Sequence, residues 1–530
     1  MSSTETTATT WHERVEFRPG SYHDSVTLLR VAQAAASTAG VSAAQVAMAT
    51  ELNVELTRGL GFTVPEDVTP QQLIVAIRAV DDAALTAALE AVDGALAAAS
   101  APAPGARADL DPPRTVRSAA RSEPDSTIAL LSVPGPQVLA EGLDAIAAGK
   151  HLMIFSDNVP VADEVLLKQR AAEAGVLVMG PDCGTAIISG VGLGFANVLG
   201  GTLVGGSVLG GSTSSGTEAA PTVGIVAASG TGAQHLSCLL DAAGVRVSHV
   251  LGLGGRDLSE AVGGASALTA LQLLEDDPGT DHIVLVSKPP HPATAQKVLA
   301  AATALRTPVS TVLLGTGNPD ITSAVEVLLA TLGVPTPNWA EWGTDREIAT
   351  DTGDLRGLFA GGTLADEAMI VAATALGGIR SNIPLRPEDA LPAEALQPGR
   401  PVLTGQGHVV VDLGDDAFTL GRPHPMIDPS VRLGLIADQA ADPQVRVILL
   451  DVVLGHCAEP DPAAGLVPAI RAAVSRDGVL DVVVSLCGTS SDPQDLRRQA
   501  QALVAAGARV HTSNSAAARD AATIARGGVR

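Results

Sequence analysis

Aromatic residues are nearly absent from this chain, and their scarcity limits how it can build a core. Six Phe, one Tyr and three Trp make up 2% of the 530 residues, whereas 46% of all residues are hydrophobic. The core must therefore consist mainly of Ala, Val, Leu and Ile, which suit parallel strands that are buried on both faces. The length allows roughly three or four domains.

Lysine is also scarce, and negative charge dominates. Lysine occurs only at positions 150, 168, 288 and 297, and the 33 basic and 57 acidic residues leave a net charge of −24. Such a chain repels nucleic acid and anionic membrane surfaces, so we expect neither as a partner. Small anionic ligands are not excluded, because individual loops can be locally positive.

Cysteine is rare as well, and its four copies are scattered. Cys183, Cys238, Cys457 and Cys487 form no CxxC pair, which argues against a disulfide framework and a zinc site and fits reduced thiols. The first residues lack the basic and apolar stretches of a signal peptide. No apolar run reaches the roughly 18 residues of a membrane helix. We therefore predict a cytoplasmic protein without a metal.

Composition divides the chain into blocks. A polar tail covers residues 1–12. Two linkers rich in Pro, Ala and Gly, 100–126 and 316–350, are low in periodic apolar residues, and we expect proteases to cut them first. The folded blocks alternate strands and helices, which is the pattern of a parallel α/β fold. These blocks are residues 13–99, 127–199, 220–315 and 351–530.

The most informative stretch, residues 222–288, repeats a strand–loop–helix pattern three times. After the apolar strand Val223–Ala227, the turn Ser229-Gly230-Thr231-Gly232 opens a helix. Free backbone N–H groups and the helix dipole favour an anion at such a turn, so we predict a phosphate or acyl-phosphate seat. The alternative is an ordinary helix N-cap, because Ser, Thr and Gly all favour that place.

The same order of motifs returns later in the chain. Gly361-Gly362-Thr363 is a second Gly/Thr turn before a helix, and the Asp-Pro-strand pattern of 276–286 recurs at 442–450. We interpret this as an internal duplication of a βαβ unit, although parallel α/β units also resemble one another in general. With two such turns, we predict one acyl-phosphate site in which Ser229 and Thr363 lie across a single cleft.

Two further loops carry candidate ligands of an anion. Gly254-Gly255-Arg256 offers backbone N–H groups and a fixed cation for an acyl carboxylate; alternatively, it is a glycine turn closed by Asp257, which would cap the next helix. Lys288 ends a strand and is a candidate phosphate contact. The alternative for Lys288 is an exposed lysine without a ligand.

His424 is the candidate catalytic residue. It lies between two prolines and is followed by Asp428. Proline fixes the backbone on both sides, so the ring is pre-organised to act as a general acid or base or as a phosphoryl acceptor. The alternative is a histidine that caps a rigid turn. Cys183 is a weaker candidate for a nucleophile, because no base can be identified beside it.

Seven motifs in this chain stand out together. They are residues 155–159, 179–186, 194–198, 229–232, 252–258, 286–290 and 421–428. Together they resemble the FdrA family of the acyl-CoA synthetase (succinyl-CoA synthetase-like) superfamily. The resemblance implies a CoA-binding Rossmann-like domain, with 13–99 as its first α/β unit and 127–199 as its second part. It also implies a flavodoxin-like ligase domain at 220–315 and a second one, similar to the carboxyl domain of the β-subunit, at 351–530.

The resemblance also implies a function. An enzyme of this kind handles an acyl phosphate and a CoA thioester, so CoA is the expected cofactor. Its contacts would be Ser21, Tyr22, His23, Pro181, Asp182, Cys183 and Lys288.

Two departures from the synthetase pattern indicate an alternative function. The chain has no Gly-His-Ala-Gly-Ala loop to carry a phosphoryl group, and too few residues precede the last domain to form an ATP-grasp domain. FdrA-type proteins are also linked to allantoin catabolism. The alternative is therefore a subunit of an oxamate carbamoyltransferase that uses carbamoyl phosphate and works with other protein subunits.

Overall fold

A computed structural model describes residues 11–20, 23, 25–100, 113–200, 221–315, 317–396, 401–419, 424–476 and 478–528. The chain forms two compact units, and the boundary between them follows Pro112. Ser21, Tyr22 and the Gly/Ser-rich stretch 201–220 lie outside the described residues. Among the described residues, no helix combines the length and the apolar character needed to cross a membrane.

The first unit is a small antiparallel sheet with helices. Its elements are β1 (His12–Pro19), α1 (Ser25–Ala36), β2 (Val41–Met48), α2 (Glu51–Gly59), β3 (Gln72–Ala79) and α3 (Asp82–Ser100). The strand order is β1-β3-β2, and both neighbours of β3 run antiparallel to it. Helices α1 and α3 pack on one face of the sheet, and Phe62 packs with Ile74 and Ala76 in a smaller cluster.

This arrangement corrects the prediction that 13–99 is the first α/β unit of a Rossmann-like CoA-binding domain. Residues of this stretch form a separate unit with an antiparallel sheet. Strand β3 is central and covered on both faces, so its apolar run looks like that of a parallel strand. Strand direction depends on which strands pair, and the local pattern of apolar residues does not encode that choice.

The second unit contains three sheets. Its elements are α4 (Val116–Ser122), β4 (Ile128–Leu131), α5 (Val138–Ala147), β5 (His151–Ile154), α6 (Val161–Ala174), β6 (Val178–Met179), β7 (Thr185–Ile188), β8 (Val191–Gly194), β9 (Thr222–Ala228), α7 (Gly230–Ala242), β10 (Arg246–Gly252), α8 (Ala265–Asp276), β11 (His282–Ser287), α9 (Pro292–Thr303), β12 (Val309–Leu313), α10 (Ile321–Thr331), β13 (Glu341–Trp342), β14 (Asp354–Phe359), α11 (Gly362–Leu376), β15 (Val409–Asp412), α12 (Asp416–Thr419), α13 (Ser430–Ala441), β16 (Val445–Val453), α14 (Pro462–Val474), β17 (Asp481–Cys487), α15 (Leu496–Ala505), β18 (Ala508–His511) and α16 (Asn514–Ala525).

The strand order of the two large sheets confirms the duplication. One sheet has the order β12-β11-β9-β10-β7-β8, and the other has the order β13-β18-β17-β16-β14-β15. The parallel run β12-β11-β9-β10 therefore matches β17-β16-β14-β15 strand for strand. The third sheet is the parallel set β4-β5-β6. The α/β fold class is thus as predicted.

Both predicted linkers contain folded structure. Within 316–350, α10 buries Ile321, Val325, Leu328 and Leu329 in the same core as β9 and α7. Within 100–126, α4 is joined to α5 by a hydrogen bond from the Val116 backbone to Glu141 (2.8 Å). The short helix that the sequence predicts within the linker 316–350 is present as α10, but its burial makes this stretch part of the core rather than a linker. The flanking prolines and glycines mark the ends of this packed helix.

The predicted motifs lie at the carboxyl ends of four parallel strands. Strands β9, β11, β14 and β15 end immediately before Ser229, Lys288, Ala360 and Leu413. Parallel strands of one sheet end at the same edge, where α/β proteins bind their ligands. The two large sheets belong to one unit, and the hydrogen bond between the Ser229 and Thr363 hydroxyls joins the edge after β9 to the edge after β14.

We predict that α10 contributes to the stability of the second unit as a core helix does. Leu329 is fully buried, whereas Val327 on the same helix is 67% exposed. Leu329→Ala should lower the free energy of unfolding by about 2–5 kcal/mol, measured by urea denaturation. Val327→Ala is the matched control and should change it by no more than about 0.5 kcal/mol. Equal, small effects would mean that α10 is not part of the core.

Candidate active site

Two helix starts meet at the centre of the second unit. Helix α7 is capped by Ser229, whose Oγ accepts a hydrogen bond from the Gly232 backbone (2.9 Å). The Ser229 hydroxyl also hydrogen-bonds the Thr363 hydroxyl in the first turn of α11. A Cβ added to Gly361 would lie 2.7 Å from Thr231 Cγ2, so glycine permits this approach. The two predicted turns therefore face each other.

The contact is closer than the cleft we predicted from the sequence. Ser229 and Thr363 are 3% and 1% exposed and bond directly, with no room for a phosphate between their hydroxyls. Gly230 is exposed, and Thr231 and Gly362 are half-buried. Any ligand shared by the two turns would thus lie beside the hydroxyl pair, over these backbone groups.

A buried carboxylate holds the second helix start. Asp451 accepts hydrogen bonds from the backbone N–H groups of Ala360 (2.7 Å) and Gly361 (2.8 Å). Its charge is balanced by Arg432, whose Nη1 lies 3.0 Å from Asp451 Oδ1. Burial raises the pKa of Asp451, and Arg432 opposes that shift. Asp451 thus accepts hydrogen bonds from the two backbone N–H groups that directly precede α11. The next N–H group along the chain is that of Gly362, the first residue of the helix.

Lys288 and two carboxyl groups lie around Gly362. A Cβ added to Gly362 would collide with Asp412 Oδ2 and would lie 2.9 Å from Lys288 Nζ. Burial raises the pKa of Asp412 to about 7 and that of Asp366 to about 6, and the charge of Lys288 lowers both. The site therefore combines one lysine with carboxyl groups that hold a proton near neutral pH.

His424 lies at the same end of β15. A Cβ added to Gly414 would lie 2.6 Å from His424 Nε2 and 3.1 Å from Asp412 Oδ1. Nδ1 accepts a hydrogen bond from the Met426 backbone (3.3 Å), so the neutral ring carries its proton on Nε2. Burial and then the charge of Arg432 lower the pKa of His424 to about 4. A neutral Nε2–H is a hydrogen-bond donor and does not suit a phosphoryl acceptor at that nitrogen.

The loop Gly254-Gly255-Arg256 has a packing role in the structure. Arg256 Nε donates to Glu164 (3.0 Å), and its Nη2 donates to the Val159 carbonyl (2.9 Å). Asp257 accepts from the Ser266 and Ala267 backbone at the start of α8 (3.1 and 3.0 Å). The alternative from the sequence, an Asp that caps the next helix, is therefore what the structure contains. Acyl binding by Arg256 stays a prediction.

The loop Pro181-Asp182-Cys183 leads to the site through Thr185, two residues after Cys183. The Cys183 thiol is buried near the Thr185 and Gly252 carbonyls (3.5 and 3.4 Å), and burial raises its pKa to about 12. Such a thiol is a poor nucleophile. A Cβ added to Gly230 would lie 3.7 Å from Thr185 Oγ1. Thr185, which the sequence analysis missed, is therefore the nearest side chain to Gly230.

Of the remaining candidates, Ser21 and Tyr22 lie outside the described residues. His23 belongs to the first unit. The sequence analysis also missed Arg432 and Asp451. The sequence does offer a sign that Asp451 is functional, because it is the single charged residue in the apolar segment Val447–Val453 of strand β16. The partner of such a residue lies elsewhere in the chain, and the sequence does not identify it.

Comparisons with known proteins agree with this architecture. Residues 358–524 match the CoA-ligase family, and residues 11–112 match a domain described as "AllF, heavy metal-associated domain". The chain is 36% identical over 533 residues to the uncharacterized protein YahF of Escherichia coli K12, which covers 95% of this chain and 96% of YahF. The chain belongs to the YahF family.

More distant relatives belong to the CoA ligases. The α-subunit of the ADP-forming succinate–CoA ligase of Methanothermobacter thermautotrophicus is 29% identical over 167 residues, which is 31% of this chain and 50% of that subunit. Solved structures with similarity include an ATP citrate lyase from Methanothrix soehngenii in complex with citrate and coenzyme A, with a TM-score of 0.30 at 14% identity over 38% of this chain and 32% of that one. They also include a dinucleotide-forming acetyl-coenzyme A synthetase of Ca. Korarchaeum cryptofilum in complex with phosphate and ADP, with a TM-score of 0.28 at 15% identity over 80% of this chain and 87% of that one. Scores this low support no conclusion about this chain.

The first unit does not fit a heavy metal. Soft metals select thiolate ligands, and the range 11–112 contains no cysteine. Among the described residues, no group of three His, Cys, Asp or Glu side chains is arranged to hold a metal ion.

The turn after β4 does not fit the pyrophosphate of CoA. Dinucleotide turns offer backbone N–H groups and glycines that let a phosphate approach. Here Pro134 and Pro136, which have no N–H, flank Gly135. The Cα of Gly135 already packs against the carbonyls of Asp157 and Asn158.

We predict that protonation of His424 makes the free energy of unfolding depend on pH. Its pKa falls from 6.5 to about 4 on folding, so its contribution to stability is complete above pH 6.5 and is lost as the pH falls from 6.5 to 4. The loss amounts to about 3 kcal/mol. The unfolding free energy of His424→Gln should therefore fall less steeply over this range than that of the wild type. Parallel curves for the two proteins would contradict a buried neutral His424.

Proposed function

We propose that the second unit is a CoA-ligase-like enzyme that binds an acyl phosphate over the starts of α7 and α11. The observation that carries the proposal is the hydrogen bond between Ser229 and Thr363, since it brings the two turns of the duplicated unit together. The match of 358–524 to the CoA-ligase family supports the same reading.

Two helix starts suit a phosphoryl group in an acidic protein. Each start offers only its first turn of unpaired N–H groups and about half a positive charge. Facing starts double the donors and add their dipoles, so the site needs few cations. Lys288 adds a fixed positive charge beside Gly362. Oriented backbone groups of this kind stabilise charge that develops during a reaction.

The arrangement favours departure of phosphate. In transfer of the acyl group to a nucleophile such as a thiol, the carbonyl carbon gains a bond to the nucleophile as its bond to the bridging oxygen breaks. The nucleophile gives up its proton, and the departing phosphate gains negative charge. Backbone N–H groups and Lys288 would stabilise this charge. His424, with its proton on Nε2, is one available donor. Asp412 is a second donor in the fraction of molecules in which it is protonated, because burial raises its pKa to about 7. We assign no step to CoA, because the turn after β4 does not fit its pyrophosphate.

A second candidate is a subunit of an oxamate carbamoyltransferase of the FdrA type that uses carbamoyl phosphate. The observation that favours it is the match of 11–112 to the AllF domain, which points to a role related to allantoin. The missing Gly-His-Ala-Gly-Ala loop and ATP-grasp domain agree with it, since partner subunits would supply further chemistry. Calorimetric titration of the full chain with CoA and with carbamoyl phosphate separates the two functions. Binding of CoA would favour the ligase and would mean that CoA is held outside the turn after β4. Binding of carbamoyl phosphate without binding of CoA would favour the carbamoyltransferase.

We predict that Gly230→Val weakens binding of acetyl phosphate at least tenfold. Gly230 is exposed, and an added Cβ would meet only Thr185 Oγ1, at 3.7 Å, so the fold should be retained. The new side chain would cover the N–H groups of the α7 start. Calorimetry of the full chain measures the dissociation constant.

Gly255→Val is the matched control, because an added Cβ there meets no atom within 4 Å. It should leave the affinity unchanged. Weaker binding in Gly255→Val together with unchanged binding in Gly230→Val would move the anion site to the Gly254-Gly255-Arg256 loop. Gly362→Val is less informative, because its side chain would displace Asp412 and Lys288.

We also predict that the chain alone does not couple ATP hydrolysis to thioester formation. The missing phosphohistidine loop and ATP-grasp domain are the reason. Incubation with ATP, succinate and CoA should release no ADP above the rate without succinate. A complete succinyl-CoA synthetase serves as the positive control. Succinate-dependent release at rates of ordinary enzymes, about 1 to 1000 per second, would refute the prediction.

A further inference from the structure

One lysine and two carboxyl groups without partners lie around the start of α11. Lys288 Nζ and Asp412 Oδ2 both lie next to the Cα of Gly362, the first residue of that helix. In the part of the chain that the structure describes, Lys288 Nζ, Asp412 Oδ2 and the side chain of Asp366 form no hydrogen bond and no contact ion pair. Buried charges are normally paired, so unpaired ones indicate a place for a ligand or a proton.

Both carboxyl groups are buried but are not sealed from solvent. Asp412 is 4% exposed and Asp366 is 6% exposed, and Lys288 and Gly362 are half-buried. Asp412 Oδ1 accepts a hydrogen bond from the Gly414 backbone (2.9 Å), and this bond leaves Oδ2 beside Gly362. A small anion that lies over Gly362 would therefore meet Asp412 Oδ2 directly.

Negative charge predominates around Asp412. The charged and titratable groups of the surrounding elements are Lys288 after β11, Asp366 in α11, Asp415 in the loop after β15, His424 ahead of α13, and the pair of Asp451 in β16 with Arg432 in α13. Asp451 and Arg432 compensate each other, and the His424 ring is neutral. Lys288 therefore faces more carboxyl groups than it can neutralise.

An ionised Asp412 would compete with a ligand anion for the start of α11. Both would lie at the end of the helix where the dipole and the free N–H groups attract negative charge. Burial raises the pKa of Asp412 to about 7, and the charge of Lys288 opposes that shift. A bound anion raises the pKa further, because a like charge disfavours ionisation. A proton on Asp412 therefore removes the competing charge at little cost near neutral pH.

We propose that an anion at the start of α11 binds together with a proton, which is taken up by Asp412 Oδ2. The inference rests on the proposed acyl-phosphate seat and adds the charge state in which that seat accepts a doubly charged anion. Asp412 is then a specificity-determining residue: its protonated Oδ2 donates to the bound anion, whereas its ionised form repels the anion. Lys288 supplies the fixed positive charge on the other side of Gly362.

The test measures binding of sulfate to the full chain by calorimetry at about pH 6 and at about pH 8. Sulfate keeps the same charge over this range, unlike phosphate, so a change in affinity reports on the protein. A group with a pKa of about 7 that must be protonated makes binding about tenfold weaker at the higher pH. At about pH 7 each bound sulfate should bring about half a proton. Proton uptake is measured from the binding heats in two buffers that differ in protonation enthalpy, and it requires no variant.

Asp412→Asn keeps the shape of the side chain and removes its charge. This variant should lose most of the pH dependence and most of the proton uptake. Glu347→Gln is the matched control, because it also removes one negative charge, from an exposed residue that precedes β14. It should keep the pH dependence of the wild type. Thermal unfolding verifies that both variants are folded.

The outcomes separate the role of Asp412 from the seat itself. Gly230→Val tests the seat alone and should weaken sulfate binding at both pH values. If it does so while the wild-type affinity is independent of pH, or while Asp412→Asn keeps the wild-type pH dependence, the seat stands and the proton coupling is overturned. If Gly230→Val leaves sulfate binding unchanged, or if the wild type binds no sulfate, the proposed seat fails and the inference fails with it.

Discussion

The carboxylate of Asp451 is the interaction on which the centre of the second unit depends. Buried in strand β16, it satisfies the backbone of Ala360 and Gly361 and is itself neutralised by Arg432. Removing one partner of such a buried pair typically costs about 3–5 kcal/mol, because the other charge is left uncompensated. The position of the α11 turn and the orientation of Arg432 follow from this arrangement. Burial lowers the pKa of His424, and the charge of Arg432 lowers it further.

Other buried polar contacts join the two duplicated halves. Asn197 donates to the Leu454 carbonyl (2.9 Å) and to Asp492 (2.8 Å). Glu367 in α11 accepts from the Ile321 backbone in α10 (2.6 Å), and Asn514 within the second half donates to the same carboxylate (2.7 Å). These bonds are directional, unlike apolar contacts, so they define how the two sheet edges face each other. The close contact between Ser229 and Thr363 requires this precision.

Much of the site could be predicted, and the failures have a common cause. Ser229, Gly361, Thr363 and Lys288 follow strand ends, so a pattern of strand and turn was enough to find them. The sequence did not reveal which side chains from distant parts of the chain pair with one another. Arg256 is a candidate ligand contact from its sequence context, but that context does not reveal its partner Glu164, which is 92 residues away. A side chain that binds a ligand and one that binds a distant residue look the same in sequence.

The sequence by itself determined the α/β elements of the second unit, the duplication and the turns that open α7 and α11, because these depend on local apolar periodicity and on residues that favour helix starts. Only the tertiary structure decided the antiparallel direction of β1 to β3, the burial of α10 and the assembly of Asp451, Arg432 and His424. Each of these depends on contacts between residues far apart in the chain, and local patterns contain no information about such contacts.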